Sequence, residues 1–213
     1  MLPTYTRRRS IPRGTLLARI VARIALLGML AAGAVAQPPS REPLNSERIQ
    51  QTFGSYGVEV LASGDRTRIT NLYSVEGGAR ICRTFAVVRY PAVVDPAVAA
   101  EHATIVGGGS IGAVFAANGW RVLKTHLAFT ELAATPRLAN LMHVPPGTRL
   151  AEHAYVLDVA KDGKRVEYAA LIEIHHPDYL RRTDLERIYG PADAGERKAL
   201  VDELLAGANE AAR

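Results

Sequence analysis

The sequence has a single cysteine, Cys82, in 213 residues. One cysteine excludes an internal disulfide, so the burial of apolar side chains has to hold the fold together. It also excludes a lipid-anchored signal boundary, because lipidation there requires a cysteine at that boundary. Cys82 alternates with small and apolar residues in a strand-like stretch, and we expect a buried side chain rather than a reactive thiol.

Acidic residues are absent from the first 36 positions, which carry six arginines followed by an uncharged run of 13 residues, positions 24–36. That run has the length of a signal-peptide core, roughly 7–15 residues, and is short of the roughly 20 that a membrane-spanning helix needs. Ala34 and Ala36 match the small residues that a signal peptidase recognises, which places the predicted cleavage before Gln37.

These features predict a signal peptide over residues 1–36, a linker over 37–43 and a single domain over 44–213. The predicted location is the periplasm or the outside of the cell, with no stable membrane insertion after cleavage. An uncleaved membrane anchor is the alternative. The sequence does not decide between general secretion and the twin-arginine route, whose motif the arginine run resembles.

The rest of the chain lacks an excess of positive charge. Six of the 26 basic residues and none of the 21 acidic residues lie in the first 36 positions, which leaves 20 basic against 21 acidic residues. Nucleic-acid binding needs a basic surface that neutralises phosphates, so the sequence argues against a nucleic-acid partner.

Two segments 62 residues apart share five identical residues at the same spacing. In each, an isoleucine and a phenylalanine four apart lie on one helix face, a glycine ends the helix, and β-branched residues begin a strand. We interpret the match as an internal duplication, with coincidence as the alternative. The residues are Ile49, Phe53, Gly57, Val60 and Leu61 in the first copy, and Ile111, Phe115, Gly119, Val122 and Leu123 in the second.

Strand and turn signals follow each copy, and each half ends in predicted helices. The most clearly capped of these helices has Asp95 as its N-cap and Pro96 as its first residue. The sequence therefore predicts an α+β fold in which helices pack on one face of an antiparallel sheet. We expect this fold to consist of two similar α-β-β-β-α halves, about 44–107 and 108–213.

The glycine-rich segment 107–112 satisfies the pattern G-x-G-x-x-G of dinucleotide-binding turns. That function needs a strand before the glycines, a full helix after them and an acid about 20 residues on. Here a predicted helix precedes the glycines, the following helix is short, and His126 occupies the region where the acid is expected. We therefore predict no nucleotide and no other cofactor.

The same segment contains G-x-S-x-G, which resembles the nucleophile elbow of the α/β-hydrolases with Ser110 as nucleophile. The resemblance implies a histidine base, His175 or His176, and an orienting acid, Asp178 or Asp158. The alternation of strands and helices typical of that fold is missing. A junction between two helices, with Ser110 capping the second, is the interpretation we favour, and a serine hydrolase remains the alternative function.

A hairpin centred on residues 162–163 pairs positions whose numbers sum to 325. This register sets Glu152 opposite Glu173, with His175 on the same face, and puts His153 on the apolar face. Two carboxylates and an imidazole have the chemistry to bind a divalent metal or to share a proton.

The alternative is a solvated strand face whose carboxylates are neutralised by Arg149 or Arg165. The neighbouring His175 and His176 point to opposite faces of a strand, so we do not expect them to bind one ion together.

No complete catalytic constellation emerges from these patterns. The sequence thus predicts a non-catalytic, exported module that binds a small molecule or an envelope protein, rather than an enzyme. A structural module that docks through the Pro- and Gly-containing insertion 133–148 is the third interpretation. The ligand, the oligomeric state and the biological process stay open.

Overall fold

The computed structural model describes residues 43–213, which hold six α-helices and six β-strands. The helices are α1 (Asn45–Phe53), α2 (Ala99–Val106), α3 (Ile111–Ala117), α4 (Pro136–Met142), α5 (Arg182–Tyr189) and α6 (Lys198–Ala211). The strands are β1 (Gly57–Ser63), β2 (Thr67–Glu76), β3 (Ala79–Arg89), β4 (Arg121–Ala133), β5 (Arg149–Lys161) and β6 (Lys164–His175). The predicted signal peptide, the cleavage residues Ala34, Ala36 and Gln37, and the linker up to residue 42 lie outside the described residues.

All six strands form one antiparallel sheet in the order β1-β2-β3-β6-β5-β4. Each half of the chain supplies a three-stranded meander, and the two meanders join where β3 pairs with β6. The strand order is symmetric about this junction, as expected for two similar halves that pair along equivalent strands. The predicted α+β class with an antiparallel sheet is confirmed.

The residues predicted to begin a helix and to form a hairpin turn do so in the structure. The Asp95 carboxylate accepts a hydrogen bond from the Ala97 N–H at 2.8 Å and starts the helical turn before α2. Asp162 and Gly163 both have positive φ, 50° and 80°, at the turn between β5 and β6. Such a pair matches the twist of the flanking strands, which favours the tight hairpin.

Helices cover both faces of the sheet, and this corrects the expectation of a single helical face. Val87 and Val88 are adjacent in β3 and therefore point to opposite faces. Val88 packs in a cluster with Phe115 of α3, whereas Val87 packs with Leu138 of α4 and Ala208 of α6. The central strands are apolar on both sides, so each side has to be covered.

We call the face that carries Val88 the site face. Tyr155 of β5 belongs to the same cluster as Val88, and Ala151, four residues earlier in β5, points to the same side. Ala151 packs with Ile49 of α1 and Leu185 of α5. The site face is thus covered by α1, α2, α3 and α5, and the opposite face by α4 and α6.

A bulge in β6, where Tyr168 is the extra residue, changes the register of the hairpin. Next to the turn, Val159 faces Val166 as predicted. Between Leu157 and Asp158 the pairing shifts by one residue, so that Leu157 faces Ala169. A bulge of this kind inserts one extra residue into one strand and displaces every pair beyond it.

The predicted opposition of Glu152 and Glu173 is therefore wrong. Beyond the bulge His153 faces Glu173, and Glu152 faces Ile174. His153 shares the site face with Glu173, while Glu152 points to the other side of the sheet.

No helix among residues 43–213 combines the length and the apolar character that crossing a membrane requires.

Candidate functional site

A small cavity lies on the site face of the sheet. Its volume is about 70 Å³, room for roughly five water molecules at 10–15 Å³ each. Most of its wall is apolar and comes from β2, β3, β4, β5, β6 and α3: Leu72, Val88, Ile111, Val122, Leu157 and Leu171. A few polar side chains interrupt that wall: Asn45, Tyr56, Arg68, Thr70, Ser110, Lys124 and Glu173.

Arg68 is the most unusual residue of this wall. It lies in β2 opposite Val88, and its side chain is 2 % exposed. One guanidinium nitrogen, Nη1, donates a hydrogen bond to the Gly109 carbonyl at 2.9 Å. The other two, Nε and Nη2, have no hydrogen-bond partner, and no carboxylate among residues 43–213 forms an ion pair with the side chain. A buried cation is ordinarily paired, because its desolvation is costly.

The tyrosines around Arg68 do not supply a negative charge. The buried hydroxyl of Tyr56 lies beside Ser110 and that of Tyr90 beside Arg68 and Tyr168, without a hydrogen bond of good geometry. Burial raises the pKa of both phenols, although the positive charge of Arg68 acts in the opposite direction. The pKa of Tyr168 is also raised, mainly by burial. All three phenols are therefore neutral at physiological pH.

The glycine-rich segment 107–112 places a backbone carbonyl against Arg68. It connects α2 to α3, as the helix-junction interpretation predicts. A side chain at Gly109 would come within 2.8 Å of Val114, and one at Gly112 within 2.8 Å of Leu44, which lines the cavity. Two of the glycines are thus required by close packing at the cavity wall, not by a phosphate or a nucleophile.

Ser110 occupies the N-cap position of α3, but its hydroxyl makes no capping hydrogen bond. It lines the cavity. The two nitrogens of His175 face Thr84 and Glu173 instead of Ser110. Asp178, the predicted orienting acid, has a 74 % exposed side chain and lies 4.0 Å from His176, not beside His175. The structure therefore does not bring Ser110, His175 and Asp178 together.

The alternative members of that triad are engaged elsewhere. His176 contacts the Met142 carbonyl at 3.0 Å through Nε2. Asp158 forms an ion pair with Arg165. Cys82 is fully buried, as expected, and burial raises the pKa of its thiol.

A second polar cluster lies on the site face and consists of His153, Glu173 and His175, which we call the His-Glu-His cluster. One ligand-capable atom from each residue lies within 4.8 Å of the other two. His153 Nδ1 is 4.0 Å and His175 Nε2 is 3.9 Å from the same oxygen, Glu173 Oε2. The side chains are 1 %, 6 % and 1 % exposed, in chain order.

The remaining atoms of the cluster are held by hydrogen bonds. His153 Nε2 lies 2.8 Å from His126 Nδ1, and His175 Nδ1 lies 3.1 Å from Thr84 Oγ1. The Asn45 amide donates to Glu173 Oε1 at 2.9 Å. By contrast, His153 Nδ1 and His175 Nε2 have no hydrogen-bond partner.

Burial keeps both histidines of the cluster neutral. It lowers the pKa of His175 to about 3, and the positive charge of Lys124 acts in the same direction. The pKa of His153 is also lowered well below its usual value, again chiefly by burial. Neutral imidazole is the form that binds metals.

The three predicted metal candidates separate in the structure. Glu173 and His175 belong to the cluster, but Glu152 lies on the opposite face, where its carboxylate accepts a hydrogen bond from Thr130 at 2.9 Å. Burial raises the pKa of Glu152. His153 takes its place because of the bulge.

Sequence reasoning missed Arg68 altogether. A signal was present, since Arg68 alternates with Thr70 and Leu72 in a strand whose next neighbour is the apolar β3. An arginine on the inward face of such a strand indicates a buried charge.

No protein-family model and no curated protein matches the chain. Several solved structures share its general arrangement. One is the ligand-binding domain of a putative GntR-family transcriptional regulator from Bordetella bronchiseptica, with 14% identity, 59% of this chain and 88% of that chain covered, and a TM-score of 0.39. Another is a GntR-family transcriptional regulator from Bacillus cereus, with 14% identity, coverage of 60% and 90%, and a TM-score of 0.35. A third is the C-terminal domain of the histidine utilization repressor from Pseudomonas syringae, with 11% identity, coverage of 60% and 90%, and a TM-score of 0.35.

These comparisons correct the predicted localisation. The matched structures are described as transcriptional regulators or domains of them. By that finding the prediction of a periplasmic or extracellular protein is wrong. The first structure is described as a ligand-binding domain.

Proposed function

We propose that residues 43–213 form a binding module for a small organic anion, with Arg68 as the anchor for its carboxylate. The observation that carries the proposal is a buried guanidinium with two unpaired nitrogens in the wall of an otherwise largely apolar cavity. A carboxylate accepts two parallel hydrogen bonds from a guanidinium, and the pair restores the charge balance that the buried arginine lacks.

The size of the cavity and the side chains of its wall indicate the class of ligand. Apolar side chains around Arg68 favour a molecule with one charged end and a hydrocarbon body. A volume of about 70 Å³ favours a short-chain carboxylate over a nucleotide. The neutral tyrosines beside Arg68 have hydroxyls that can donate to the second face of the carboxylate.

The test is a comparison of butyrate with butyramide, its uncharged counterpart of nearly the same shape. Thermal unfolding is followed for the full chain and for two variants, Arg68→Met and Arg121→Met. Arg121 is exposed on β4, so its variant removes one arginine without touching the cavity.

We expect butyrate to raise the unfolding temperature of the wild-type chain and of Arg121→Met, and to leave Arg68→Met unchanged. Butyramide should have no effect on any of the three. Equal shifts with butyrate and butyramide would contradict the role of Arg68, and so would a butyrate shift that survives in Arg68→Met. Inorganic phosphate in parallel distinguishes a carboxylate site from a general anion site, because phosphate has no hydrocarbon body.

A further inference from the structure

We infer that the His-Glu-His cluster is a binding site for one divalent transition-metal ion of the zinc type. The ligands are His153 Nδ1, His175 Nε2 and Glu173 Oε2. Two imidazoles and one carboxylate are a recurrent donor set for zinc sites that keep a fourth position for water or substrate. Glu173 also lines the cavity that holds Arg68, so the two sites adjoin, but Arg68 is not a ligand of the ion and the metal site does not depend on anion binding.

The unpaired atoms point to a cation. His153 Nδ1 and His175 Nε2 are both buried without a hydrogen-bond partner, and both face Glu173 Oε2 at 3.9–4.0 Å. Buried polar atoms are nearly always satisfied, and each exception calls for a missing partner. When the ring protons lie on the opposite nitrogens, the two nitrogen lone pairs face the same carboxylate oxygen, and a cation between them satisfies both nitrogens.

The opposite nitrogens have the partners that metal-binding histidines require. A metal-bound imidazole donates its second N–H to a fixed acceptor, which orients the ring and raises its basicity. His153 Nε2 has His126 Nδ1 at 2.8 Å, and His175 Nδ1 has Thr84 Oγ1 at 3.1 Å. The carboxylate is oriented as well, because Asn45 donates to its other oxygen at 2.9 Å.

The two nitrogen-to-oxygen distances need only a small contraction. Zinc lies about 2.0–2.2 Å from nitrogen and oxygen ligands, so tetrahedral ligand atoms are about 3.4 Å apart. The nitrogen-to-oxygen separations of 3.9 and 4.0 Å therefore have to close by about half an ångström, and the two ring nitrogens, which lie within 4.8 Å of each other, also have to approach. Glu173 also lines the cavity, so the buried cluster adjoins it.

The experiment uses the full chain without a histidine tag, stripped of metal and titrated with Zn²⁺ in competition with a chromophoric chelator. We expect one ion per chain. Glu173→Gln and His175→Gln keep the approximate side-chain size but lose a ligand, and each should weaken zinc binding at least 100-fold. Thr84→Val keeps all three ligands but removes the partner of His175 Nδ1, together with the hydrogen bond that Thr84 accepts from Asn45 at 3.2 Å, and should weaken zinc binding by about 10- to 100-fold.

His143→Asn is the matched control. His143 is exposed and ends α4 in the left-handed conformation, which asparagine also adopts, so zinc affinity should not change. Arg121→Met, at an exposed position of β4, should likewise retain zinc binding.

A second readout does not depend on variants that fold poorly. Co²⁺ bound to the wild-type chain should show the visible absorption of a four- or five-coordinate ion, and X-ray absorption of the zinc form should report two imidazole ligands. The inference is overturned by the absence of stoichiometric binding in the wild-type chain. It is equally overturned if Glu173→Gln and His175→Gln, shown to be folded by circular dichroism, bind zinc as tightly as the wild type.

Discussion

The unpaired guanidinium of Arg68 implies a measurable loss of stability in the unliganded protein. Replacing Arg68 with methionine removes the buried charge and keeps an unbranched side chain of similar reach in the cavity wall. The effective desolvation penalty of a buried ion is several kcal/mol. The opposing term is the hydrogen bond to the Gly109 carbonyl at 2.9 Å, and hydrogen bonds to charged groups contribute about 1.5–3 kcal/mol.

The desolvation term is the larger of the two, so we expect Arg68→Met to be more stable than the wild type by about 2 kcal/mol, within the range of about 1–4 kcal/mol known for replacing buried ionic groups. For a chain of this size each kcal/mol raises the unfolding temperature by about 2–4 °C. The expected rise is therefore about 4–8 °C.

Urea unfolding of the wild type, Arg68→Met and Arg121→Met measures this difference. The exposed Arg121 should change the free energy of unfolding by less than about 0.5 kcal/mol. A carboxylate ligand at 100 times its Kd should stabilise the wild type by about 2.7 kcal/mol and reverse the order of the two proteins. Destabilisation of Arg68→Met by 2 kcal/mol or more would refute the reasoning, because it would mean that the charge is already compensated without a ligand.

Three further predictions concern other parts of the site. Burial lowers the pKa of His175 to about 3, so this imidazole binds a proton more readily in the unfolded chain than in the folded one. The free energy of unfolding should therefore be highest above about pH 6.5 and fall by up to about 1.4 kcal/mol per pH unit below it. Urea unfolding between pH 7 and pH 4 measures this dependence. Gly109→Ala places a Cβ 2.8 Å from Val114 and 3.0 Å from the backbone oxygen of Thr104 and should cost about 1–3 kcal/mol. Gly207→Ala in α6, where a Cβ meets nothing within 4 Å, should gain about 0.5–1 kcal/mol. Equal effects of the two variants in thermal unfolding would contradict the packing argument. Ser110 has no histidine within hydrogen-bond distance among the described residues, and a fluorophosphonate probe should therefore leave the chain unlabelled; labelling that Ser110→Ala abolishes would restore the hydrolase alternative.

The local patterns predicted the elements of the fold well. Helix ends marked by Asp95 and strand pairs marked by the 162–163 turn formed as expected, because neighbouring residues alone determine capping and turn geometry. The helix-to-strand order of the two similar segments is also observed, since α1 leads into β1 and α3 into β4. Predictions that needed partners distant in the sequence were less successful.

The candidate metal residues show why. Glu173 and His175 were identified from a register counted outward from the turn, which is correct only as far as Asp158. The bulge that follows lies beyond the turn, so the turn residues do not encode it. Because the pairing shifts by one residue, His153 and not Glu152 lies opposite Glu173. Successive strand residues point to opposite faces, so Glu152 is on the other side of the sheet.

The localisation shows a different failure. The arginines and the short apolar run at positions 1–36 were interpreted from composition alone, with no contact to test them. Segments of similar composition have different roles in different proteins, and here the comparison of folds overturned the prediction of an exported protein.

The sequence by itself determined the α+β class, the strand and helix positions and the absence of a disulfide, because these follow from local periodicity, turn residues and the residue count. Only the tertiary structure decided that Arg68 is buried and unpaired and that His153, Glu173 and His175 converge. Both features arise where strands distant in the sequence pair and helices cover them. Burial and long-range pairing set the energy of a charge or a lone pair, and neither is a property of the neighbouring residues in the chain.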